Sequence, residues 1–304
     1  MKNSATKNVG AKAALFLAAL IWGGSFLIVK NSMDMIQPHM LLAIRFTIGC
    51  ILLSIIFHKR LKALDKDYFI KGGIIGACLF LAYSLQTIGI IDTTPGKNAF
   101  LTAIYCVLVP FFFWIVDQKR PDRYNILAAG ITLFGIGLVS MNGDLTIGTG
   151  DSLTLVSGVV FAAHMVAVAK FSKDKDPILL TILQFGYAAL FSWIIGFLFE
   201  DFPAVWSTQM LGGLLYLSVF ATAVALLLQN VGQKYTNPAP AAIILSLESV
   251  FGVMFSIFFY GEKLTLRLFC GFCLIFIAVI ISETKLSFFA KKSNASLLED
   301  SIES

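Results

Sequence analysis

The stretch LAYSLQTIGIIDTTPGKNA at residues 81–99 returns 143 positions later as VALLLQNVGQKYTNPAPAA at residues 224–242. Ala82/Ala225, Leu85/Leu228, Gln86/Gln229, Gly89/Gly232, Thr93/Thr236, Pro95/Pro238 and Ala99/Ala242 are identical pairs. The same register carries Leu81–Ser140 onto Val224–Glu283 without a gap. Earlier in the chain an offset of 139 pairs Pro38 with Pro177, Leu41 with Leu180 and Phe46 with Phe185. It also sets Trp22 against Phe161, Ser25 against His164 and Arg45 against Gln184. The chain is one apolar unit written twice.

The solvent of that unit follows from composition. Of 304 residues, 58% are hydrophobic and 13% charged, with a mean hydropathy of +0.83. Soluble domains run at roughly 45–50% apolar and about 25% charged. A water-soluble fold of this length cannot hide so much apolar surface, so part of the surroundings must be lipid. A soluble enzyme, a nucleic-acid binder and a disordered scaffold are excluded. The five cysteines (Cys50, Cys78, Cys106, Cys270 and Cys273) all fall in apolar runs, which does not make a secreted disulfide framework. Cys270 and Cys273 have no second pair and no neighbouring histidine, so they are not read as a metal or redox motif. The lysine-rich start leads into a long apolar run without a small-residue cleavage site, which reads as a first span rather than a cleaved signal.

Crossing about 30 Å of hydrocarbon takes roughly 20 helical residues. Ten such runs occur, near 13–29, 36–57, 69–90, 95–116, 124–141, 152–170, 178–199, 208–231, 238–260 and 264–283. The fold class expected is all-α integral membrane. Residues 1–12 form a short cytoplasmic lead, 13–141 and 150–283 the two five-helix repeats, and 284–304 a polar cytoplasmic tail. Lysine and arginine concentrate on the cytoplasmic side of a membrane. With the N-terminus inside, the inner segments carry 18 of these residues and the outer ones 4, with Arg45 inside a span. Both termini are therefore expected in the cytoplasm, at the cell membrane. Five is odd, so the second copy starts on the opposite face and the repeats are inverted. Inverted repeats place a site near the midplane between two halves that exchange conformations, as in secondary transporters.

The residues also resemble the EamA-type family of the drug/metabolite transporter superfamily, once per half over nearly all of residues 12–283. The resemblance rests on Trp22-Gly23-Gly24-Ser25-Phe26, Arg45-Phe46, Thr94-Pro95, Asn237-Pro238, Leu247-Glu248-Ser249-Val250-Phe251 and Gly261-Glu262-Lys263-Leu264. It implies export of amino acids or related small metabolites through a central cavity lined by the first, third, fourth, sixth, eighth and ninth spans. The family often has proline at the positions of Cys106 and Ser249, so straighter fourth and ninth helices are expected here. Where the second half has the Gly261-Glu262 pair, the first carries Asp117-Gln118-Lys119.

An ionisable group at the bilayer centre costs roughly 2.5–3.5 kcal/mol on insertion scales, so it tends to face a cavity. Glu248 lies ten residues into the ninth span, near the midplane, and its repeat equivalent is Tyr105. It is read as a contact for a proton or a cationic substrate group, against the alternative of a neutral acid bonding two helices. Arg45 cannot shed its proton; with Gln184 it is read as a structural polar residue pinning helices through backbone carbonyls, with a carboxylate substrate as the alternative. His164 and Trp22 are mid-span candidates for proton relay and substrate stacking, each weighed against plain packing. Gln86 and Gln229 are candidate mirror-image gates, and Asn98, with Thr102 and Asn230, a candidate polar lining. Gly130, Gly135 and Gly137 are read as permitting close helix packing.

No P-loop, metal-binding histidine cluster or Ser/His/Asp order is present, so no cofactor, metal or ATP drive is expected. The partners implied are a small-molecule metabolite, a proton or other coupling ion, and the lipid bilayer. The reading is a secondary transporter working by alternating access. The alternative is a membrane-embedded flippase subunit or an enzyme acting on a lipid-linked substrate.

Overall fold

A computed structural model of the chain describes residues 2–118, 120–140, 147–203, 205–236 and 238–285, with 2–8, 117, 233–234, 238–243 and 283 as backbone alone. Asn237 and the tail from 286 lie outside the described residues. The main described elements are α1 (Lys2–Ser32), α2 (Pro38–Ile56), α3 (Lys66–Gly89), α4 (Pro95–Thr102), α5 (Tyr105–Asp117), α6 (Arg123–Ser140) and α7 (Thr149–Phe171). They continue with α8 (Pro177–Phe199), α9 (Thr208–Leu215), α10 (Ala225–Tyr235), α11 (Pro238–Phe255) and α12 (Leu266–Thr284). A π-helical segment, Tyr216–Val224, joins α9 to α10, and another, Ser256–Tyr260, ends the ninth span.

Lipid offers no hydrogen bonds, so a spanning segment must satisfy its backbone internally, and helices do so. Eight described helical runs are long and apolar enough to cross a membrane, and the apolar segments Ile244–Tyr260 and Leu266–Ser282 are shorter. Together they make ten crossings, with α4 and α5 in the fourth and α9, the π segment and α10 in the eighth. Helix starts are written locally. Pro38, Pro95 and Pro177 open α2, α4 and α8, where a missing N–H costs nothing. Asp65, Thr94, Asp176 and Thr265 cap α3, α4, α8 and α12 through their side chains. The start of α1 and the end of α12 share one end of the bundle, called the terminal end below; the opposite end is the far end.

Packing follows the repeat. α3 lies on α7 as the eighth span lies on α1, and α1 lies on α11 as α7 lies on α4 and α5. The pairs α2 with α8, α6 with α12 and α4 with α11 map onto themselves. The match reaches single residues. A Cβ at Gly89 would lie 2.7 Å from Thr154 Oγ1 and 2.8 Å from the Gly150 carbonyl. One at Gly232 would lie 2.6 Å from Leu15 and 3.0 Å from the Ala11 carbonyl, the same contact moved by the two offsets. The outer surface carries exposed apolar side chains such as Leu133, Phe134, Phe258, Phe259 and Leu266, as a lipid-facing surface should.

Two expectations change. The fourth span is broken at Ala103–Ile104: Cys106 N and Val107 N bond back only three residues, to Ala103 O at 3.1 Å and Ile104 O at 3.0 Å. Proline does act on this span, as Pro110 inside α5, where it removes the N–H that would bond Cys106 O. Gly130 faces open space, whereas Gly135 packs against Ile275 and the Gly271 carbonyl. The fourth and ninth spans also end in the same way. Gln118 (φ 57°) and Gly261 (φ 77°), 143 apart, both take the left-handed conformation, which glycine adopts without strain.

Gly23 seats Phe251, whose Cβ a side chain there would overlap. Gly23→Ala is expected to destabilise the folded protein by about 1–3 kcal/mol through overpacking, and Gly130→Ala to leave it unchanged. Thermal unfolding of the two purified variants in detergent checks the difference.

Candidate functional site

A cavity of about 70 Å³ lies between the repeats. That is small beside the roughly 300–1,000 Å³ of a typical small-molecule site, so the conformation is a contracted one. Its wall comes from the six spans expected and from α2, which adds Arg45. Trp22, Gln86, Asn98, Tyr105, His164, Gln229 and Glu248 all line it, while Gln184 stands behind.

At the centre the Tyr105 hydroxyl donates to Glu248 Oε1 at 2.9 Å. Both side chains are buried. The two residues are 143 apart, so one position of the repeat meets itself across the pseudo-two-fold axis. The break at Ala103–Ile104 starts α5 at Tyr105, which places the tyrosine on the first turn of that helix.

Arg45 is 2% exposed. Its Nε donates to Thr222 Oγ1 at 2.9 Å, and its guanidinium sits over the rings of Tyr83 at 4.8 Å and Phe46 at 5.5 Å. The expected backbone carbonyls are not its described partners; a hydroxyl on the π segment is. Thr222 in turn donates to Leu217 O, five residues back at 2.8 Å, a bond that follows the wide π turn. The same segment receives Trp22, whose indole N–H donates to Ala221 O at 2.8 Å. Arg45 forms no ion pair among the described residues, and neither does Glu248.

The repeat explains why Arg45 reaches so far. Its equivalent, Gln184, bonds His164 Nε2 through Oε1 at 2.9 Å. The equivalent of His164 is Ser25, which turns its hydroxyl back onto Trp22 O at 2.7 Å. Arg45 therefore has no symmetric mate and crosses to the other half.

A third polar group lies toward the far end. Gln86 Nε2 donates to Thr102 Oγ1 at 3.0 Å. Asn98 Nδ2 donates to Thr154 Oγ1 at 2.7 Å and to Gln86 O at 3.3 Å, while Asn98 Oδ1 is buried without a partner among the described residues. The two acceptors fix the amide's orientation, so Oδ1 is an acceptor awaiting a donor. Gln229 lines the cavity without a side-chain hydrogen bond among the described residues. Asn230 instead donates to Thr181.

Tyr83 and Thr222 are the site residues that the sequence reading missed. Tyr83 has an aliphatic repeat partner, Leu226, and Thr222 sits in a run of small residues, so neither stood out.

The chain belongs to the EamA-like transporter family, which matches it twice, over residues 11–141 and 148–284. It is a multi-pass membrane transporter. An uncharacterized transporter of Archaeoglobus fulgidus is 35% identical over 276 residues, 90% of this chain and 86% of that one. The uncharacterized transporter YvbV of Bacillus subtilis is 28% identical over 90% of this chain and 92% of its own. A solved crystal structure with 17% identity superposes with a TM-score of 0.65, covering 92% of this chain and 98% of that one, a likeness of fold.

Thr222→Val keeps shape but leaves the Arg45 Nε–H without its acceptor. It is expected to cost about 1–3 kcal/mol of stability, and Thr222→Ser much less. Denaturation midpoints of the two variants in the same detergent provide the comparison.

Proposed function

We propose that the protein exports amino acids or closely related zwitterionic metabolites by alternating access, with proton exchange at Glu248. One observation carries this reading. A permanent cation, Arg45, and an acid, Glu248, line the same cavity without pairing to each other. A zwitterion presents one group to each: its carboxylate to the guanidinium, whose planar fork suits carboxylates, and its ammonium to Glu248. Asn98 Oδ1 offers a further acceptor. An amino acid is larger than the cavity in this contracted conformation, so loading requires the spans around it to part. Gln86 bonded, and Gln229 unbonded among the described residues, fit the idea that the two act as mirror-image gates, each engaged in one state. Interhelical bonds in membranes average only about 0.6 kcal/mol, weak enough to exchange.

Proton exchange has a direct rationale. The Tyr105 hydroxyl donates to Glu248 Oε1, which leaves Oε2 to carry the proton in the empty state or to accept from an ammonium in the loaded one. With Glu248 deprotonated and a zwitterion bound, the guanidinium and the ammonium each face a carboxylate, so the loaded site is neutral overall, which a low-dielectric site favours. The 18-to-4 bias of basic residues supports a cytoplasmic terminal end, with the protein in the cell membrane.

Glu248→Gln is expected to abolish gradient-driven amino-acid flux in proteoliposomes while the variant elutes as a folded protein. Wild-type flux in it would remove the proposed role of the acid. Arg45→Gln should weaken substrate protection against thermal unfolding at least tenfold in apparent affinity, with amines lacking a carboxylate bound as before. For orientation, Ala63→Cys is expected to react with an impermeant maleimide from the cytoplasmic side and Ile147→Cys from the outside. Labelling of both from one side would reject the inverted arrangement.

A further inference from the structure

The first turn of α4 is gripped from two sides. On one side Asp151, in the first turn of α7, accepts from Thr93 Oγ1 at 2.5 Å and from Lys97 Nζ at 3.1 Å. Asp151 is 4% exposed. On the other side Glu262, just past the ninth span, accepts from Thr94 Oγ1 at 2.5 Å, from Gly96 N at 3.1 Å and from the Ser256 hydroxyl. A Cβ at Gly96 would overlap the Glu262 carboxylate, so the approach requires glycine. α4 has 8 residues and ends at the break at Ala103–Ile104. It is thus a short lever with a joint at one end and two carboxylates holding the other. Between joint and grip it carries Asn98 and Thr102, which line the cavity.

The repeat supplies the comparison that gives this grip a meaning. At the terminal end the equivalent turn follows Pro238. The counterpart of Asp151 is Lys12 and the counterpart of Glu262 is Lys119. Each acid has become a lysine, which has donors but no acceptor and is repelled by the positive N-terminus of a helix. The counterpart of Lys97 is Pro240, which has no charge to pair. Thr236, the counterpart of Thr93, has its hydroxyl buried with no partner among the described residues. The Gly89–Gly150 and Gly232–Ala11 contacts show that both offsets hold at this level of the bundle. The comparison therefore sets like against like.

We infer that Asp151 and Glu262 are gate-positioning residues: they latch α4 across the far end of the cavity, and the replacement of both acids by lysine at the equivalent terminal-end positions makes the far-end-closed state the resting one. The halves are otherwise close to interchangeable, and two open states of matched halves have similar energies. Acids at these two positions, set against lysines at their equivalents, break that degeneracy. With the orientation proposed above, the resting cavity opens to the cytoplasm, where an exporter loads. The inference rests on that reading for its sides but not for the latch itself.

The test reads accessibility without substrate, so it stands apart from the transport assay. Val29→Cys, on α1 in the cavity wall, is the reporter in a chain freed of its native cysteines. Its reaction with an impermeant maleimide is followed from each face separately. Asp151→Asn and Glu262→Gln are each expected to raise labelling from the outside at least tenfold, and Asp151→Glu to restore the slow rate. Leu226→Cys, nearer the terminal end of the wall, should label from the cytoplasmic side more slowly in the same variants. Lys97→Met and Gly96→Ala disturb the grip without removing an acid. They carry the test if either acid variant elutes as aggregate. Unchanged rates from both faces in the folded variants overturn the latch. Faster labelling from the cytoplasmic face alone upholds the latch and overturns the orientation.

Discussion

Tyr105 and Glu248 occupy the same place in two copies of one unit, and their hydrogen bond lies where those copies meet. An acid at this depth cannot face acyl chains without a cost of several kcal/mol. It must face inward, and with it the helix that carries it. The tyrosine imposes the same condition on the fourth span. Once these two helices are turned toward each other, α1 and α7 close the cavity at their sides, through Gly23 against Phe251 and Gly158 against Ile104. The cavity is thus the consequence of burying a matched polar pair on the pseudo-symmetry axis, rather than a void left by poor packing.

Around that centre the bundle separates into parts with different jobs. α2 and α8 are tied at both ends. Glu200 accepts from His39 N at 2.9 Å and Met40 N at 2.8 Å at the far end, and Arg60 pairs with Asp176 at 2.7 Å at the terminal end. Arg60 is half-exposed, so its pair adds little energy on its own. The value of these ties is geometric: they hold a helix pair that maps onto itself under the repeat and so can stay still while others move. The fourth, eighth and ninth spans carry the irregular features. The π segment gives up regular backbone bonding to place Ala221 O and Thr222 Oγ1 against Trp22 and Arg45. Irregular backbone at this depth is tolerated where it is buried in protein or lines a cavity, and here Leu217, Ala221 and Thr222 are buried in protein.

Much of this was legible in the residues. Hydropathy gives ten runs because a membrane demands length and apolarity and little else. The two offsets, 139 and 143, give the inversion and aim equivalent positions, Tyr105 and Glu248 among them, at one central region. What stayed hidden were departures from the repeat. The joint at Ala103–Ile104 has no proline or glycine of its own to announce it. Thr222 is one hydroxyl among small residues, and its partner is 177 positions away. Asp151 sat at the edge of a span, where an acid is unremarkable, and Glu262 was visible as part of a motif whose purpose the linear sequence does not state. Composition and period report what the two halves share. They are blind to where one half has stopped copying the other.

Those departures are where direction enters. A pair of identical inverted halves has no preferred side: each state is the mirror of the other, and a ligand shifts the balance only by its differential affinity. Preference has to come from residues that differ between equivalent positions. Among the equivalent positions that differ are Arg45 against Gln184, Ser25 against His164, and the acids Asp151 and Glu262 against Lys12 and Lys119. The first two shape what the cavity holds, since they leave one permanent charge without a symmetric mate. The third acts on the ends, where an interaction made in one state and lost in the other translates directly into a population. Duplication thus supplies two states of nearly equal energy, and later divergence at a few polar positions turns that near-equality into a resting state and a selective site.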